Sequence, residues 1–126
     1  AAIGARYDAL LDAAGIGRVK VRADRTSVFA QYTVFVDDRA RVQRELQAAG
    51  IPTAVHYPTP LHLQPAYRES NPPHLPASVA AAACVMSLPM HPDLEPAVQA
   101  RIVQALAAAR GAPRTAARPA ELDAAR

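Results

Sequence analysis

Apolar side chains recur at the spacing of an α-helix in three parts of the chain. The first pattern covers residues 2–14, and Gly15 supplies its end. The side chains that share its apolar face are Ile3, Tyr7, Leu10, Leu11 and Ala14. A second helix is predicted from Asp37 or Asp38, either of which can act as its N-cap, to Ala49. The inward side chains of this second helix are Val42 and Leu46.

The third helical pattern follows Asp93, which is predicted to be the N-cap of the helix. Its apolar face consists of Leu94, Val98, Ile102 and Leu106. A shorter, alanine-rich helix is expected over residues 76–83, after a polar, proline-rich turn at residues 68–76. Helices therefore account for much of the chain.

Alternation of apolar and polar residues predicts strands between these helices. The clearest strand is Val28–Val36. The side chains on one of its faces are Val28, Ala30, Tyr32, Val34 and Val36. A second strand is expected at Thr53–Val55, and Arg18–Arg25 suggests a short strand or an extended arm. A third strand is expected at Cys84–Leu88 because this segment is a compact apolar run. Helices and strands thus alternate, which predicts an α/β (α+β) domain with helices packed on a short sheet.

Composition supports one globular domain followed by a tail. The chain has 126 residues, 51% of them hydrophobic, which is enough for a moderate core. From Gly111 onward the only large apolar residue is Leu122, so residues 111–126 are expected to be disordered. No apolar run is long enough to span a bilayer, and the single cysteine, Cys84, excludes an internal disulfide. The start at Ala1, on a helical pattern, suggests a piece of a longer protein.

The segment Ile51–Tyr67 is the most unusual part of the sequence. Its prolines are Pro52, Pro58, Pro60 and Pro65. Because proline is excluded from helix interiors and central strands, a stiff loop is expected here. Its polar and aromatic side chains are His56, Tyr57, His62, Gln64 and Tyr67. A rigid loop can present such groups to a ligand at little ordering cost, but it can equally be a surface crossover.

Other candidate chemical groups carry weaker signals. Lys20, the only lysine, shares one face of an extended segment with Arg18 and Arg22, which favours a solvated basic face over a nucleic-acid patch or a cofactor-bearing lysine. The spacing of His56 and His62 is not typical of zinc ligands. Cys84 lies in an apolar run, which is typical of a buried and unreactive thiol.

The segment Ser87–Pro92 ends a strand at two closely spaced prolines. We interpret it as a strand end and helix entry. The alternative is that Ser87 and His91 border the same cleft as the proline-rich loop.

Several motifs, in order, resemble the sugar-nucleotide aminotransferases of the DegT/StrS type. The motifs are Phe29–Val34, Gly50–Pro58, Pro60–His62, Gln64–Tyr67 and Ser87–Pro92. Within that family the sequences of these motifs are most similar to those of the enzymes that aminate the 3-keto group of a UDP-linked N-acetylated hexuronic acid. The resemblance extends from about Arg25 to Leu106.

The resemblance implies the C-terminal small domain, residues 1–110, of a fold-type I enzyme that depends on pyridoxal 5′-phosphate. It implies a short, mostly antiparallel sheet, a cytoplasmic homodimer and a role in bacterial surface polysaccharide such as O-antigen, with glutamate as the expected amino donor. The catalytic lysine and the cofactor-binding residues belong to a large domain that this chain lacks. Lys20 does not match the lysine motif, so no catalytic, cofactor-binding or metal-binding residue is expected here.

Four loop residues receive roles from the resemblance. His56 and Tyr57 match the His-Tyr pair that faces the sugar nucleotide, and imidazole and phenol groups can both donate hydrogen bonds to a sugar. His62 and Tyr67 are expected to support the loop. The alternative is a stand-alone module for small-molecule binding or dimerisation, without catalysis.

Overall fold

The computed structural model describes residues 1–67, 69 and 71–111, which contain four α-helices and a two-stranded antiparallel sheet. The elements are α1 (Ala2–Ala13), β1 (Tyr32–Phe35), α2 (Arg39–Ala48), α3 (Pro76–Cys84), β2 (Val85–Leu88) and α4 (Pro96–Arg110), with a short 3₁₀ helix at Leu61–Leu63. The predicted fold class, helices with a short antiparallel sheet, is confirmed. Of the predicted tail only Gly111 lies within the described residues. No helix in this described part is long and apolar enough to cross a membrane.

The sheet is wider than its two strands because a single bridge adds to each edge. In the register of β1 and β2, Thr33 lies opposite Ser87. Arg18 pairs with Val34 on the outer side of β1, and Ala54 pairs with Ser87 on the outer side of β2. The strands predicted at Arg18–Arg25 and Thr53–Val55 are therefore each reduced to one bridge.

The predicted strand Val28–Val36 is too long at its start. Phe29 has a φ of 49°, which breaks the extended backbone, and the side chain of Val28 is 92% exposed. The Phe29 ring stacks on Tyr32, with centroids 5.7 Å apart, and lies directly against Gly4. A Cβ at Gly4 would overlap that ring, so the absence of a side chain allows the close approach. Packing on α1 therefore overrides the local alternation of residues 28–31.

The core lies between one face of the sheet and the helices α1, α2 and α4. Helices α1 and α2 both pack on α4. The core cluster consists of Tyr7, Leu11, Ile16, Tyr32, Val34, Val36, Val42, Leu46, Ile51, Met86, Leu88, Leu94, Ile102, Val103, Leu106 and Ala109. None of the described residues between Ile51 and Met86 belongs to it. We call this part of the chain, Pro52–Val85, the excursion.

Helix α4 begins later than predicted. Its N-cap is Glu95 instead of Asp93, because Pro96 occupies the first turn and holds the preceding residue in an extended conformation. Val98, expected in the core, is 42% exposed, and Gln99 is buried in its place. The Gln99 side chain accepts a hydrogen bond from Arg6 at 2.6 Å and donates one to the Ile3 carbonyl at 3.0 Å. These bonds offset the cost of burying a polar amide.

An arginine from another part of the chain binds a backbone carbonyl at or near the C-terminal end of each of these four helices. The pairs, from α1 to α4, are Arg110 with Gly15, Arg101 with Ala49, Arg39 with Ala82 and Arg41 with Ala109. The last carbonyls of a helix have no partner within the helix and carry partial negative charge. Guanidinium groups therefore satisfy these carbonyls and connect the helices to one another.

Candidate functional site

The sheet edge fixes the start of the proline-rich loop. The Ala54 amide donates to the Ser87 carbonyl at 3.1 Å, and the Ser87 amide donates to the Ala54 carbonyl at 2.8 Å. One residue earlier, the Gln43 side chain donates to the Thr53 hydroxyl at 3.3 Å. Beyond this anchor the chain leaves the sheet, and both His56 and Tyr57 are exposed.

A 3₁₀ helix at Leu61–Leu63 shapes the middle of the loop. Its turn is closed by the Leu63 amide, which donates to the Pro60 carbonyl at 2.9 Å, and by the Gln64 amide, which donates to the Leu61 carbonyl at 3.1 Å. The Gln64 side chain also donates to the Thr59 carbonyl at 3.3 Å. The predicted irregular loop is thus present, with a compact turn at its centre.

An open groove of about 550 Å³ separates this loop from α3. We call it the site groove. Its walls include Tyr57, Leu61, His62 and Tyr67 from the loop and Ser78 and Ala82 from α3. Its volume falls in the range of small-molecule sites, and its walls combine aromatic rings with a few polar groups.

Three of the four candidate residues meet at the site groove. Tyr57, His62 and Tyr67 line it, whereas the exposed His56 does not, although it precedes Tyr57 in the chain. The sequence reasoning missed Ser78. A lone serine in an alanine-rich helix has no distinctive pattern. The one signal in the sequence is its spacing of three from Leu75, which puts both residues on the same side of the helix, and both line the groove.

A second groove, of about 510 Å³, lies next to the first. His62 and Leu75 line both, and His74 with several prolines completes the second. Ser87 and His91 line neither of these two grooves. Ser87 is 8% exposed, and its hydroxyl lies 3.4 Å from that of Thr33, which supports its interpretation as part of the sheet.

The prediction that Arg18 lies on a solvated basic face with Lys20 and Arg22 is wrong. Its side chain is only 11% exposed and pairs with Asp8 at 3.2 Å and Asp12 at 2.9 Å, two carboxylates one turn apart on α1. Burial alone lowers the pKa of Arg18, but the hydrogen bond to Asp12 and the charge of Asp8 outweigh it and raise the pKa overall. Lys20 and Arg22 are exposed, as expected of a solvated face.

The two buried tyrosines belong to the scaffold. The Tyr7 hydroxyl donates to the Pro89 carbonyl at 2.9 Å, and the Tyr32 hydroxyl donates to the Asp8 carboxylate. Burial raises the pKa of both phenols above the usual range. The rings contact each other with centroids 4.7 Å apart. They hold α1 against the sheet and against the chain that follows β2.

Lys20 and Cys84 are two side chains in the described residues that could take part in covalent chemistry with a cofactor or substrate. Lys20 is exposed and lines neither groove, so no desolvated pocket surrounds its amine. Burial raises the pKa of the Cys84 thiol, which makes it a poorer nucleophile. Among residues 1–67, 69 and 71–111, no group of three or more metal-ligating side chains comes together.

Comparison with known families matches residues 1–107 to the DegT/DnrJ/EryC1/StrS aminotransferase family. The chain belongs to this family. The expectation from the loop and strand motifs is confirmed.

Two named relatives illustrate the family's substrates. UDP-2-acetamido-2-deoxy-3-oxo-D-glucuronate aminotransferase of Pseudomonas aeruginosa is 50% identical over 95 residues, which cover 75% of this chain and 26% of the relative. The dTDP-3-amino-3,4,6-trideoxy-alpha-D-glucose transaminase of Streptomyces venezuelae is 37% identical over 108 residues, which cover 83% of this chain and 28% of that relative. The chain thus spans about a quarter of the length of these relatives.

Solved structures agree with this assignment. The chain superposes on DesV of Streptomyces venezuelae with a TM-score of 0.79 and 34% identity, covering 90% of this chain and 31% of DesV. An aminotransferase of the same family from Brucella abortus gives a TM-score of 0.77 at 36% identity, and the match covers 86% of this chain and 30% of that protein. The fold is therefore that of a small part of a fold-type I aminotransferase.

Proposed function

We propose that residues 1–110 form the small domain of a pyridoxal-phosphate-dependent sugar-nucleotide aminotransferase. The full enzyme transfers an amino group, from glutamate, to the 3-keto group of a UDP-linked N-acetylated hexuronic acid. It works as a cytoplasmic homodimer in bacterial surface polysaccharide synthesis, such as that of O-antigen. The observation that carries this proposal is the exposed His56–Tyr57 pair, held between two anchors in a chain 50% identical over 95 residues to a relative named for such a substrate.

The role of this domain is to bind and orient the sugar. The imidazole of His56 and the phenol of Tyr57 can donate hydrogen bonds to hydroxyl or carboxylate oxygens. His62 and Tyr67 form the groove wall behind Tyr57 and support the loop. The cofactor, bound by the large domain, supplies the electron sink for transamination. The catalytic lysine belongs to that domain, so the present segment is inactive alone.

The test replaces the pair in the full-length enzyme. His56→Ala and Tyr57→Phe should each weaken use of the sugar nucleotide, since a neutral hydrogen bond contributes about 0.5–1.5 kcal/mol. This corresponds to about a two- to thirteenfold loss in kcat/KM. The amino-donor half-reaction should change less, because the small donor does not need this part of the site. Each half-reaction is followed separately through the cofactor spectrum under single-turnover conditions.

The control is His91→Ala, which changes an exposed histidine that lines neither groove. It should leave both half-reactions unchanged. An equal loss in both half-reactions of the His56 and Tyr57 variants, or loss of the cofactor, would mean that the pair supports the fold. No change in either would mean that the loop is only a rigid crossover, which favours a module without a catalytic role.

A further inference from the structure

The excursion is positioned by polar contacts and not by the core. None of its described residues belongs to the core cluster, so packing alone does not fix where His56 and Tyr57 lie. The bridge between Ala54 and Ser87 fixes the chain only up to two residues before His56. The placement of the pair must therefore depend on what holds the loop on its far side.

The chain from Tyr57 to Pro60 is a stiff unit. Pro58 and Pro60 lock their own φ angles, and each restricts the residue before it to extended conformations. Pro60 itself has φ −55° and ψ 146°, the polyproline II conformation. Because such a unit bends little, fixing one point near its end also fixes the direction of Tyr57 at its start.

The Gln64 side chain holds the unit at Thr59. Its amide group donates to the Thr59 carbonyl at 3.3 Å, while its own backbone amide donates to the Leu61 carbonyl and closes the 3₁₀ helix. Gln64 thus joins the stiff unit to the compact turn that follows. The same turn supplies Leu61 and His62 to the wall of the site groove.

We propose that Gln64 is a positioning residue for the sugar nucleotide, acting through the Thr59 carbonyl to set the orientation of Tyr57. The inference rests on the proposed function of the His56–Tyr57 pair. It requires a hydrogen-bond donor at Gln64, because the partner is a carbonyl oxygen. A glutamate of the same size places a negative charge against that oxygen, and a methionine offers no donor.

The experiment compares Gln64→Met and Gln64→Glu with wild type in the full-length enzyme. Both variants should raise the KM for the sugar nucleotide, about two- to tenfold, with kcat changing less. The amino-donor half-reaction and the thermal unfolding midpoint should stay the same, because this bond is exposed and lies outside the core. Gln47→Met, at an exposed position of α2, is the matched control and should change none of these values.

The outcomes separate this inference from the function on which it rests. If His56→Ala and Tyr57→Phe impair sugar use but both Gln64 variants match wild type, the positioning role is overturned and the function stands. A Gln64 effect equal in both half-reactions, or accompanied by a lower unfolding midpoint, would assign Gln64 to general stability instead. If the His56 and Tyr57 variants also leave sugar use unchanged, the proposed function itself fails.

Discussion

At the scale of single residues, the buried phenols of Tyr7 and Tyr32 connect α1 to the sheet and to the chain that follows β2. Tyr7 is 0% exposed and Tyr32 is 3% exposed. Each hydroxyl donates to an acceptor, the Pro89 carbonyl or the Asp8 carboxylate, so neither can lose its proton without losing a hydrogen bond. Their elevated pKa values are therefore a contribution to stability that depends on pH.

We expect the free energy of unfolding to fall as the pH rises above about 10, the usual pKa of tyrosine. The unfolded chain ionises there while folded Tyr7 stays neutral, so the stabilisation is complete below this pH and is lost above it. The loss is about 1.4 kcal/mol per pH unit for each such tyrosine. Urea unfolding between pH 9 and 11 measures it. Tyr7→Phe should show a shallower fall, and an identical slope in both proteins would contradict the assignment.

At the scale of secondary-structure elements, arginine contacts at helix ends hold the helices together across the sequence. Arg39, at the start of α2, donates to the Ala82 carbonyl at 2.5 Å and to the Val85 carbonyl at 3.0 Å. It thereby fixes the end of α3 and the start of β2 beside α2. Both bonds come from one terminal nitrogen, Nη1, whose two hydrogens are donated to the two carbonyls.

Arg39→Ala should lower the free energy of unfolding by about 1.5–3 kcal/mol, the range for hydrogen bonds to charged groups. Arg39→Lys should fall between alanine and wild type, because lysine keeps the charge but lacks the rigid planar group that aims one nitrogen at both carbonyls. Arg44→Ala, at an exposed position of the same helix, should stay within about 0.5 kcal/mol of wild type. Urea unfolding at pH 7 compares the four proteins. Equal losses for Arg39→Ala and Arg44→Ala would show that the helix-end contact contributes nothing.

The elements were predictable where local pattern and tertiary packing agree. Alternation located β1, and a compact apolar run located β2, because the buried residues of both strands meet the core. It failed at Phe29, whose left-handed backbone depends on a contact with Gly4 that no local pattern contains. The start of α4 was missed for another reason. Pro96 is a stronger signal for a first helical turn than Asp93 is for an N-cap, and α4 begins at this proline.

At the scale of the whole molecule, the proline-rich loop and α3 form the two walls of the site groove. The proline pattern was enough to predict the rigid loop, and Tyr57, His62 and Tyr67 do share one groove. The opposite wall was not predictable, since Ser78 and Ala82 reach the groove only through the placement of α3. The roles of the four loop residues and the disorder of residues 112–126 stay predictions.

The chain expressed alone should show no transaminase activity and should not attach pyridoxal phosphate at a defined position. The reason is that Lys20, its only lysine, is exposed and lines neither groove. Borohydride treatment in the presence of the cofactor, followed by mass mapping, tests this expectation. A short peptide that contains one lysine serves as the control for unspecific labelling. Stoichiometric, saturable labelling of Lys20 at micromolar cofactor would contradict it.

The separation of the excursion from the core also bears on how substrate preference can evolve. Substitutions among the described residues of Pro52–Val85 alter the groove while leaving the core cluster untouched, so many of them escape the stability threshold that removes most mutations. Relatives named for UDP-linked and dTDP-linked sugars share this domain at 50% and 37% identity. If the proposed function holds, a lineage can explore new sugars in this segment while selection keeps the other helices and the sheet constant.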